Sequence, residues 1–483
     1  MNFAVDVVEG ADPDALAMVE LARDGARREH RFGAVARAVR TMAAHLHQHG
    51  VRRGDVVLTL VGNQPDWVVA MVACFRQGYV VLPCTEQLRA KDLMLRLEVA
   101  RPRAVVADGR NEEVLRAAGW DGPTVWAPGV MDWPDAEDRA VPEPASLEPL
   151  DPCLITFTSG TAGEPKAVLH GQRYLDGQRL QAEHWLSARP GDLVWCTAAS
   201  GWSKSARNVF IAPWLRGAAA LLHDARFDPA ERLEILEREQ VDVLCMAPTE
   251  YRVIAKRVEL RRFPRLRALV AAGEALNPEG LDVWRAATGL EIRDGYGQTE
   301  TGQMTGNLDG EPARPGSMGR PLPGVKLWVE DGELVADPAT VPTFFLNYLG
   351  EGAPDGVWRT GDRVVQDDDG YLFFEGRTDD VIISAGYRIG PFEVESALVA
   401  HPAVAEAAVV AAPDEERGSV VRAIVVLRDG HTPSPALARA LQDHVKDLTA
   451  PYKYPRVVDF ADDLPKTTSG KIRRALLRGD QTT

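Results

Sequence analysis

Short runs of β-branched and aliphatic residues alternate with longer amphipathic runs over two stretches of the sequence. In the first stretch, VVLTLVG, YVVLP and AVVAD are separated by DWVVAMVACFRQG and by a helix-like segment over 91–100. In the second, AAALLH, VDVLCMAP, LRALVAAG and LEIRDGYG alternate with DPAERLEILEREQ and NPEGLDVWRAATG. Such alternation is typical of parallel sheets with crossover helices. It predicts an α/β protein with two doubly wound lobes, divided near the Pro-rich, acidic stretch 141–152.

The texture of the sequence changes after residue 316. The runs GVKLWVEDGELVA and DDDGYLFFEGR predict a β-rich subdomain of short strands and turns. Beyond Arg377, a helix in PFEVESALVAHPAV, two strands in AEAAVVAAP and VVRAIVVLRDG, and a helix up to Lys446 predict a compact α+β unit. A chain of 483 residues also exceeds what one hydrophobic core usually serves. We expect a large N-terminal domain over residues 1–377 and a small, mobile C-terminal domain over residues 378–483.

Charge and cysteine content argue against several classes of protein. The chain carries 70 acidic and 55 basic side chains, a net charge of -15, which argues against nucleic-acid binding. No apolar run approaches the roughly 18 residues of a membrane span, and the first residues lack the pattern of a secretory signal. The five cysteines are scattered without a CxxC pair, as reduced core residues are. We therefore expect a cytosolic protein.

A loop rich in glycine and hydroxyl side chains, TSGTAGEPK (158–166), directly follows the apolar run CLITF. Such a cluster is most often a surface turn. The alternative is a phosphate cradle, in which backbone N–H groups, hydroxyls and the Lys166 ammonium bind phosphate oxygens. Its spacing, G-x-x-G-x-x-K, differs from that of the nucleotide P-loop. The loop alone suggests a phosphate ligand and leaves the enzyme class open.

Three further loops have unusual composition. DGYGQTET (294–301) follows a predicted strand, where open α/β sheets bind ligands, although Thr299 and Glu300 would also suit the start of a helix. WRTGD (358–362) places Asp362 after a tight turn, which suits the binding of ribose hydroxyls and also an ordinary Asp turn. GRTDDVIISAGYRIGP (376–391) gathers charges and glycines at the predicted domain junction.

The order of the motifs TSGTAGEPK, YGQTE, RTGD, GRTDDVIISAGYRI and PKTTSGK closely resembles the signature of adenylate-forming enzymes, the AMP-dependent synthetase/ligase superfamily. This superfamily includes acyl-CoA synthetases, peptide-synthetase adenylation domains and luciferases. The resemblance extends over nearly the whole chain, from about Arg31 to Arg474. It implies a two-step reaction, in which a carboxylate attacks the α-phosphorus of ATP to give an acyl-adenylate and pyrophosphate, and a thiol then displaces AMP. It also implies ATP and Mg²⁺, with coenzyme A as co-substrate.

The resemblance implies a role for each motif residue. Lys471 would bridge the carboxylate and the α-phosphate, Glu300 would hold the magnesium ion, and Lys166 would contact the terminal phosphates. These three are the predicted catalytic residues. Asp362 would bind the ribose hydroxyls, and Tyr296 would contact the adenine. The full predicted ATP-binding set is Thr158, Ser159, Gly160, Thr161, Gly163, Lys166, Asp294, Gly295, Tyr296, Gly297, Gln298, Thr299, Asp362, Arg377 and Lys471.

The resemblance further implies that the C-terminal domain rotates about Asp379 between the two half-reactions. This rotation would withdraw Lys471 and present SAGYRIG to the thiol. GWSKSA, ERGSVVRA and HVKDLTAPYKYPR resemble the medium-chain acyl-CoA synthetase branch. The residues predicted to bind coenzyme A are Ala385, Gly386, Tyr387, Arg388, Arg417 and Lys446. The three cations among them are equally typical of solvated surface charges.

Two features bear on the acid. Gly297 stands where acetyl-CoA synthetases carry Trp, so the resemblance implies a pocket for a medium-chain aliphatic or aromatic acid, lined in part by Trp202. The alternative is that Gly297 serves only the backbone turn after the strand. Ala199 and Ser200 replace the usual Asp-Thr before Trp202, and Ala385 replaces a usual Ser. The first departure lies near the expected acyl pocket and leaves the identity of the acid open.

Three activities are compatible with these residues. The first is an acyl-CoA synthetase, the second a stand-alone adenylation enzyme that loads a carrier-protein phosphopantetheine, and the third a nucleotide-binding regulatory protein that has lost the chemistry. Retention of Lys166, Glu300 and Lys471 favours a catalyst. The expected partners are a small carboxylic acid, ATP and coenzyme A, with no nucleic acid and no membrane span. A homodimer is left open.

Overall fold

The computed structural model describes residues 1–127, 129–136, 140–158, 165–274, 278–384, 387–414, 417–467 and 471–478. The first part of the chain contains β1 (Leu16–Leu21), β2 (Arg27–Arg31), α1 (Phe32–Gln48), β3 (Val56–Leu60), α2 (Pro65–Gln77), β4 (Val80–Cys84), α3 (Ala90–Ala100), β5 (Ala104–Asp108), α4 (Glu112–Ala117) and β6 (Thr124–Ala127). The second part contains β7 (Pro152–Phe157), β8 (Ala167–Gly171), α5 (Arg173–His184), β9 (Leu193–Cys196), α6 (Ser203–Ala206), α7 (Ala212–Leu215), β10 (Ala219–His223), α8 (Pro229–Arg238), β11 (Val243–Met246), α9 (Pro248–Arg257), β12 (Ala268–Ala272), α10 (Pro278–Thr288), β13 (Ile292–Gln298) and β14 (Gly302–Gly306).

Short strands dominate from residue 320 onward. They are β15 (Arg320–Pro321), β16 (Leu327–Glu330), β17 (Glu333–Ala336), β18 (Asn347–Tyr348), β19 (Trp358–Gln366), β20 (Leu372–Arg377), β21 (Ile382–Ser384) and β22 (Tyr387–Ile389). The C-terminal elements are α11 (Pro391–Val399), β23 (Val404–Asp414), β24 (Gly418–Leu427), α12 (Pro435–Leu448), β25 (Val457–Phe460) and α13 (Arg474–Leu477).

Two large sheets with parallel centres form most of the molecule, as the sequence predicts. The seven-stranded sheet has the order β18-β8-β7-β4-β3-β5-β6, and the nine-stranded sheet has the order β15-β14-β13-β12-β11-β9-β10-β1-β2. Helix α2 is buried along its whole length. It belongs to a hydrophobic core that contains residues of both sheets, such as Val81 and Val270. The two sheets therefore share one core.

The predicted division of the lobes near 141–152 is wrong, because the two sheets exchange strands across it. Strands β1 and β2 precede this stretch and join the nine-stranded sheet, where β1 pairs in parallel with β10. Strands β7 and β8 follow it and join the seven-stranded sheet, where β7 pairs in parallel with β4. The unpaired edge of a strand can be covered by a strand from any part of the chain. The local sequence pattern does not indicate which strand that partner is.

The β-rich subdomain and the C-terminal unit agree with the predicted textures. Strands β16, β17, β19 and β20 form an antiparallel sheet, and β23, β24 and β25 form a three-stranded sheet. Helices α11 and α12 close a separate core on this second sheet, which contains Val394, Leu398, Val409 and Leu441. The division at 377/378 coincides with the end of β20 and stays a prediction.

All five cysteines are free and buried, as predicted. In the described part of the chain, no helix combines the length and the apolar character that a membrane span requires.

Candidate active site

A cavity of about 2520 Å³ opens where the carboxyl ends of the parallel strands of both large sheets meet. Ligands of open α/β sheets bind at this edge, because the loops that follow the strands converge there. The strand ends on its wall are Cys84 of β4, Phe157 of β7, Cys196 of β9, Met246 of β11, Ala272 of β12 and Gln298 of β13. The β-rich subdomain and the C-terminal unit also contribute residues to the wall.

Most of the predicted nucleotide-site residues lie on this cavity. They are Thr158, Lys166, Trp202, Asp294, Gly295, Tyr296, Gly297, Gln298, Thr299, Glu300, Asp362, Arg377, Asp379 and Lys471. The predicted coenzyme A residues Tyr387, Arg417 and Lys446 do not line it, and Arg388 lies in β22. Ser159, Gly160, Thr161, Gly163, Ala385 and Gly386 lie outside the described residues. The roles of all these residues stay predictions.

The two ends of the glycine-rich loop are joined to each other. The backbone N–H of Thr158 donates to the carbonyl of Lys166 over 2.9 Å, and the N–H of Lys166 donates to Thr158 Oγ1 over 2.9 Å. Strands β7 and β8 continue this pairing as an antiparallel hairpin. The Lys166 ammonium lies 4.4 Å from the centroid of the Tyr348 ring and 3.9 Å from a carboxylate oxygen of Glu351. The hairpin therefore presents the lysine at the cavity.

Glu300 and Thr299, which follow β13, are held by two side chains. The Tyr348 hydroxyl donates to Glu300 Oε1 over 2.9 Å. His170 Nε2 lies 2.9 Å from the carbonyl oxygen of Thr299, so this nitrogen carries the proton. Burial lowers the pKa of His170 to about 3, and the nearby cations Arg207 and Arg173 also lower it. A neutral imidazole thus supports this loop from beneath.

The Asp362 carboxylate is the centre of a hydrogen-bond network on the cavity wall. It accepts from the Tyr296 hydroxyl, from Gln298 Nε2 over 2.8 Å and from Arg377 Nη1 over 3.1 Å. Trp358 Nε1 donates to Gln298 Oε1 over 2.9 Å and fixes that amide. Burial raises the pKa of Asp362, while Arg377 lowers it. Burial and the neighbouring carboxylate raise the pKa of Tyr296 well above its usual range, so the phenol stays a donor.

Lys471 reaches the cavity from the C-terminal end of the chain. The N–H of Thr467 donates to the Lys471 carbonyl over 2.8 Å, and the N–H of Lys471 donates to Thr467 Oγ1 over 3.1 Å. Its side chain is accessible from the cavity and enclosed by protein. This enclosure lowers the pKa of Lys471, and the Lys204 ammonium lowers it further, while Glu274 and Asp362 raise it. Lys204 and Glu274 follow strands of the nine-stranded sheet, Asp362 lies in the β-rich subdomain, and all three line the same cavity as Lys471.

Sequence reasoning missed Lys204 and Glu274 as site residues. Lys204 Nζ donates to the carbonyl of Ala272 over 3.0 Å, and the Thr249 hydroxyl donates to Glu274 Oε2 over 2.6 Å. Both charged side chains line the cavity. A signal was present for each, since Lys204 lies in GWSKSA and Glu274 lies two residues after the end of β12. Polar residues directly after a parallel strand are candidates for the ligand-binding edge.

Gly297 lines the cavity, and its role in the acyl pocket stays a prediction. A Cβ at this position would collide with the carbonyl oxygen of Gly302 and would lie 2.7 Å from its carbon. Strands β13 and β14 approach closely here, and their register shifts between Tyr296 and Gly297. The hairpin backbone therefore excludes a side chain at Gly297. This agrees with the alternative that the glycine serves the turn after the strand.

The residues present fit a magnesium ion that is held mainly by other ligands. Among the described residues, no group of three or more His, Cys, Asp or Glu side chains is placed to hold a metal. Glu300 offers one carboxylate on the cavity wall, fixed by the Tyr348 hydroxyl. Mg²⁺ commonly binds through one or two carboxylates, with phosphate oxygens and waters as its remaining ligands.

Comparisons with known proteins extend over both the large and the small parts of the chain. Residues 7–342 match the family model of the AMP-binding enzyme, and residues 393–471 match that of the AMP-binding enzyme C-terminal domain. The chain is 40% identical over 465 residues to the uncharacterized acyl-CoA ligase YtcI of Bacillus subtilis (strain 168), covering 90% of this chain and 88% of the relative. It is 40% identical over 476 residues to the mitochondrial acyl-coenzyme A synthetase ACSM4 of Rattus norvegicus, covering 89% and 80%. The crystal structure of the anthranilate CoA ligase AuaEII with anthranoyl-AMP gives a TM-score of 0.88 at 28% identity, covering 99% and 96%.

Proposed function

We propose that this chain, which belongs to the family of AMP-binding enzymes, is an acyl-CoA synthetase. It would activate a carboxylic acid with ATP to an acyl-adenylate and pyrophosphate, and then transfer the acyl group to coenzyme A with release of AMP. The observation that carries the proposal is the position of Lys471, which shares one cavity with the Asp362 network and the loop that contains Glu300. The relatives named as acyl-CoA ligases and synthetases support the thiol acceptor.

The first half-reaction needs positive charge where the acid meets the α-phosphate. The Lys471 ammonium would bind a carboxylate oxygen and an α-phosphate oxygen and so stabilise the charge that develops during the displacement. Its lowered pKa follows from enclosure, and a neighbouring anion would favour the charged form. The Asp362 carboxylate would accept hydrogen bonds from the ribose hydroxyls beside Arg377. No side-chain nucleophile is needed, since AMP becomes the leaving group.

The residues that would hold the polyphosphate lie at the mouth of the glycine-rich hairpin. Lys166 would contact the terminal phosphates, and Glu300 would hold a magnesium ion bound to them. When bound, this ion would neutralise part of the phosphate charge. The Tyr348 hydroxyl keeps the Glu300 carboxylate oriented, and the Tyr348 ring packs against the Lys166 ammonium. One tyrosine thus positions both charged groups.

The second half-reaction would follow rotation of the C-terminal unit about Asp379. This residue lies in the turn between β20 and β21, and its carboxylate is 3.4 Å from Arg377 Nε. In the arrangement described here Lys471 lines the cavity while Tyr387 and Lys446 do not, which is the arrangement that adenylation requires. Rotation would withdraw Lys471 and bring β22 to the adenylate.

We also propose a class of acid and a cellular compartment for this protein. The aromatic wall provided by Trp202 supports a medium-length aliphatic or aromatic carbon skeleton. The five free and buried cysteines support a reducing compartment such as the cytosol.

Pyrophosphate release tests the proposal. The purified chain would be supplied with ATP, Mg²⁺ and panels of straight-chain, branched and aromatic acids, with and without coenzyme A, and thioester would be measured in parallel. We expect acid-dependent pyrophosphate and coenzyme A-dependent thioester. Thioester formation only on an added carrier protein would favour the stand-alone adenylation enzyme. Absence of pyrophosphate with every acid would refute a catalytic role.

A further inference from the structure

Arg207 is a buried cation on the cavity wall that the reaction described above does not use. It begins the helical turn Arg207–Ile211 that follows α6, and it is 4% exposed. Its Nε and Nη1 atoms are buried and have no hydrogen-bond partner among the described residues. No described carboxylate forms an ion pair with it. A guanidinium is always charged, so this side chain places an unpaired positive charge inside the protein.

The neighbours of Arg207 on the cavity supply donors rather than acceptors. Trp202 Nε1 is also buried without a partner among the described residues. Lys204 lies one helical turn before Arg207, and both cations act on the Cys245 thiol, where they oppose the rise in its pKa. Tyr174 contributes a hydroxyl to Arg207 but no charge. Arg207 Nε, Arg207 Nη1 and Trp202 Nε1 therefore lack an acceptor among the described residues.

The side chains behind Arg207 do not resolve this imbalance. Gln181 Nε2 donates to Asn208 Oδ1 over 3.0 Å and to Gln178 Oε1 over 2.8 Å. The acceptors left without a partner in this region, Gln181 Oε1 and Nδ1 of the neutral His170, carry no charge that could compensate the guanidinium. An uncompensated buried charge is costly, and buried charges are normally paired. An unpaired buried charge of this kind is expected in a binding site where the ligand supplies the missing partner.

Arg207 lies at the part of the cavity where the carbon skeleton of the acid would bind. It shares the wall with Trp202 and with Cys196, Cys245 and Gly295 at the ends of β9, β11 and β13. An aliphatic acid with an apolar end would cover the guanidinium with methyl and methylene groups. A carboxylate at that end would instead accept charge-assisted hydrogen bonds from Arg207 and from the Trp202 indole.

We propose that Arg207 binds a second carboxylate of the substrate, so that the enzyme activates one end of a dicarboxylic acid. This inference rests on the proposed function. One carboxylate oxygen bonds to the α-phosphorus as the bond to pyrophosphate breaks. The thiol sulfur then bonds to the acyl carbon as its bond to AMP breaks, and the thiol proton is released. The second carboxylate is unchanged, and the product is a thioester that keeps a negative charge at its far end.

Matched acids that differ in one terminal group test the assignment. Initial rates of pyrophosphate release would be compared for hexanoate, hexanedioate and 6-hydroxyhexanoate, and for benzoate with its 1,3- and 1,4-dicarboxylates. We expect kcat/KM for the best diacid to exceed that of its monoacid by about tenfold or more, the size of a charge-assisted contact. In Arg207→Met this preference should be lost or reversed, since one partner of a buried charge pair is removed. Arg207→Lys should retain part of it.

The control for general attraction of a dianion is Arg226→Met. Arg226 also lines the cavity but is exposed, so this variant should keep the preference for diacids. A second measurement does not depend on turnover. Without ligand, Arg207→Met should melt at a higher temperature than the parent, because an unpaired buried charge is removed. Addition of the preferred diacid should raise the melting temperature of the parent and leave that of the variant unchanged.

The outcomes separate this inference from the proposed function. Efficient use of monoacids, with no diacid better, would overturn the inference and leave the acyl-CoA synthetase intact. Equal use of hexanedioate and 6-hydroxyhexanoate would overturn the carboxylate assignment. Absence of pyrophosphate with every acid, together with no thermal response to any diacid, would overturn both.

Discussion

Replacing His170 with Gln should make the stability of the large N-terminal part less sensitive to acid. In the folded protein the imidazole is buried beneath Thr299 and has a pKa of about 3, whereas an unfolded histidine has a pKa near its ordinary value of 6.5. Below about pH 6.5 the unfolded chain therefore binds a proton that the folded chain does not, and stability falls as the pH falls. One pKa unit corresponds to about 1.4 kcal/mol, so between about pH 7 and about pH 5 this residue costs the parent about 2 kcal/mol. The Gln variant should not show this loss.

Tryptophan fluorescence provides a suitable assay, because all 11 tryptophans lie between residues 67 and 358. Urea unfolding of the parent and of His170→Gln would be followed at both pH values, and the change in the free energy of unfolding compared. The control is His49→Gln, which removes an exposed imidazole from the same part of the chain. An equal pH dependence in the parent and in His170→Gln would refute the conclusion that His170 is held neutral.

Three further substitutions test the site. Lys471→Ala should slow adenylation by about 10²-fold or more and spare the conversion of supplied acyl-AMP and coenzyme A to thioester. Lys466→Ala removes a nearby lysine whose ammonium lies 2.7 Å from a carboxylate oxygen of Glu406, and it should change either rate by about threefold or less; equal loss of both half-reactions in Lys471→Ala would contradict its role. Asp379→Pro should give the reverse phenotype, because a fixed φ hinders rotation, and unchanged turnover would show that Asp379 is not the hinge. Gly297→Ala should lower the melting temperature by crowding the β13–β14 hairpin. A variant that is as stable as the parent but prefers acids of a different chain length would instead support a role of this residue in the acyl pocket.

The sequence allowed most elements of the fold to be predicted, because periodicity is a local property. AVVAD coincides with β5, and the strand predictions in the C-terminal unit fall on β23 and β24. The helix predicted over PFEVESALVAHPAV ends earlier, at Val399, and Val404 already belongs to β23. Strand pairing was less predictable. Nothing in LAMVEL indicates that β1 pairs with β10 rather than with a strand closer along the chain.

The candidate site could be predicted where its residues form a motif and not where they act singly. The order of five motifs identified the family and brought Lys471, Asp362 and Glu300 to attention, and these residues share one cavity. Arg207 belongs to none of these motifs, and its function can be inferred only from the residues that surround it. A buried cation becomes informative only when its guanidinium nitrogen atoms are known to lack partners and no described carboxylate forms an ion pair with it.

The exchange of strands between the two large sheets has a consequence for synthesis on the ribosome. Met18 of β1 is paired with Ala220 of β10, so β1 finds this partner only about 200 residues later in translation. At a translation rate of about 5–20 residues per second, β1 waits roughly 10–40 s in the nascent chain with an unpaired edge. The arginine-rich β2, RREHR, accompanies it through this interval as an antiparallel neighbour and places charge at the edge of the nine-stranded sheet. Charged edge strands resist association with other chains, which suits a segment whose partner is translated so late.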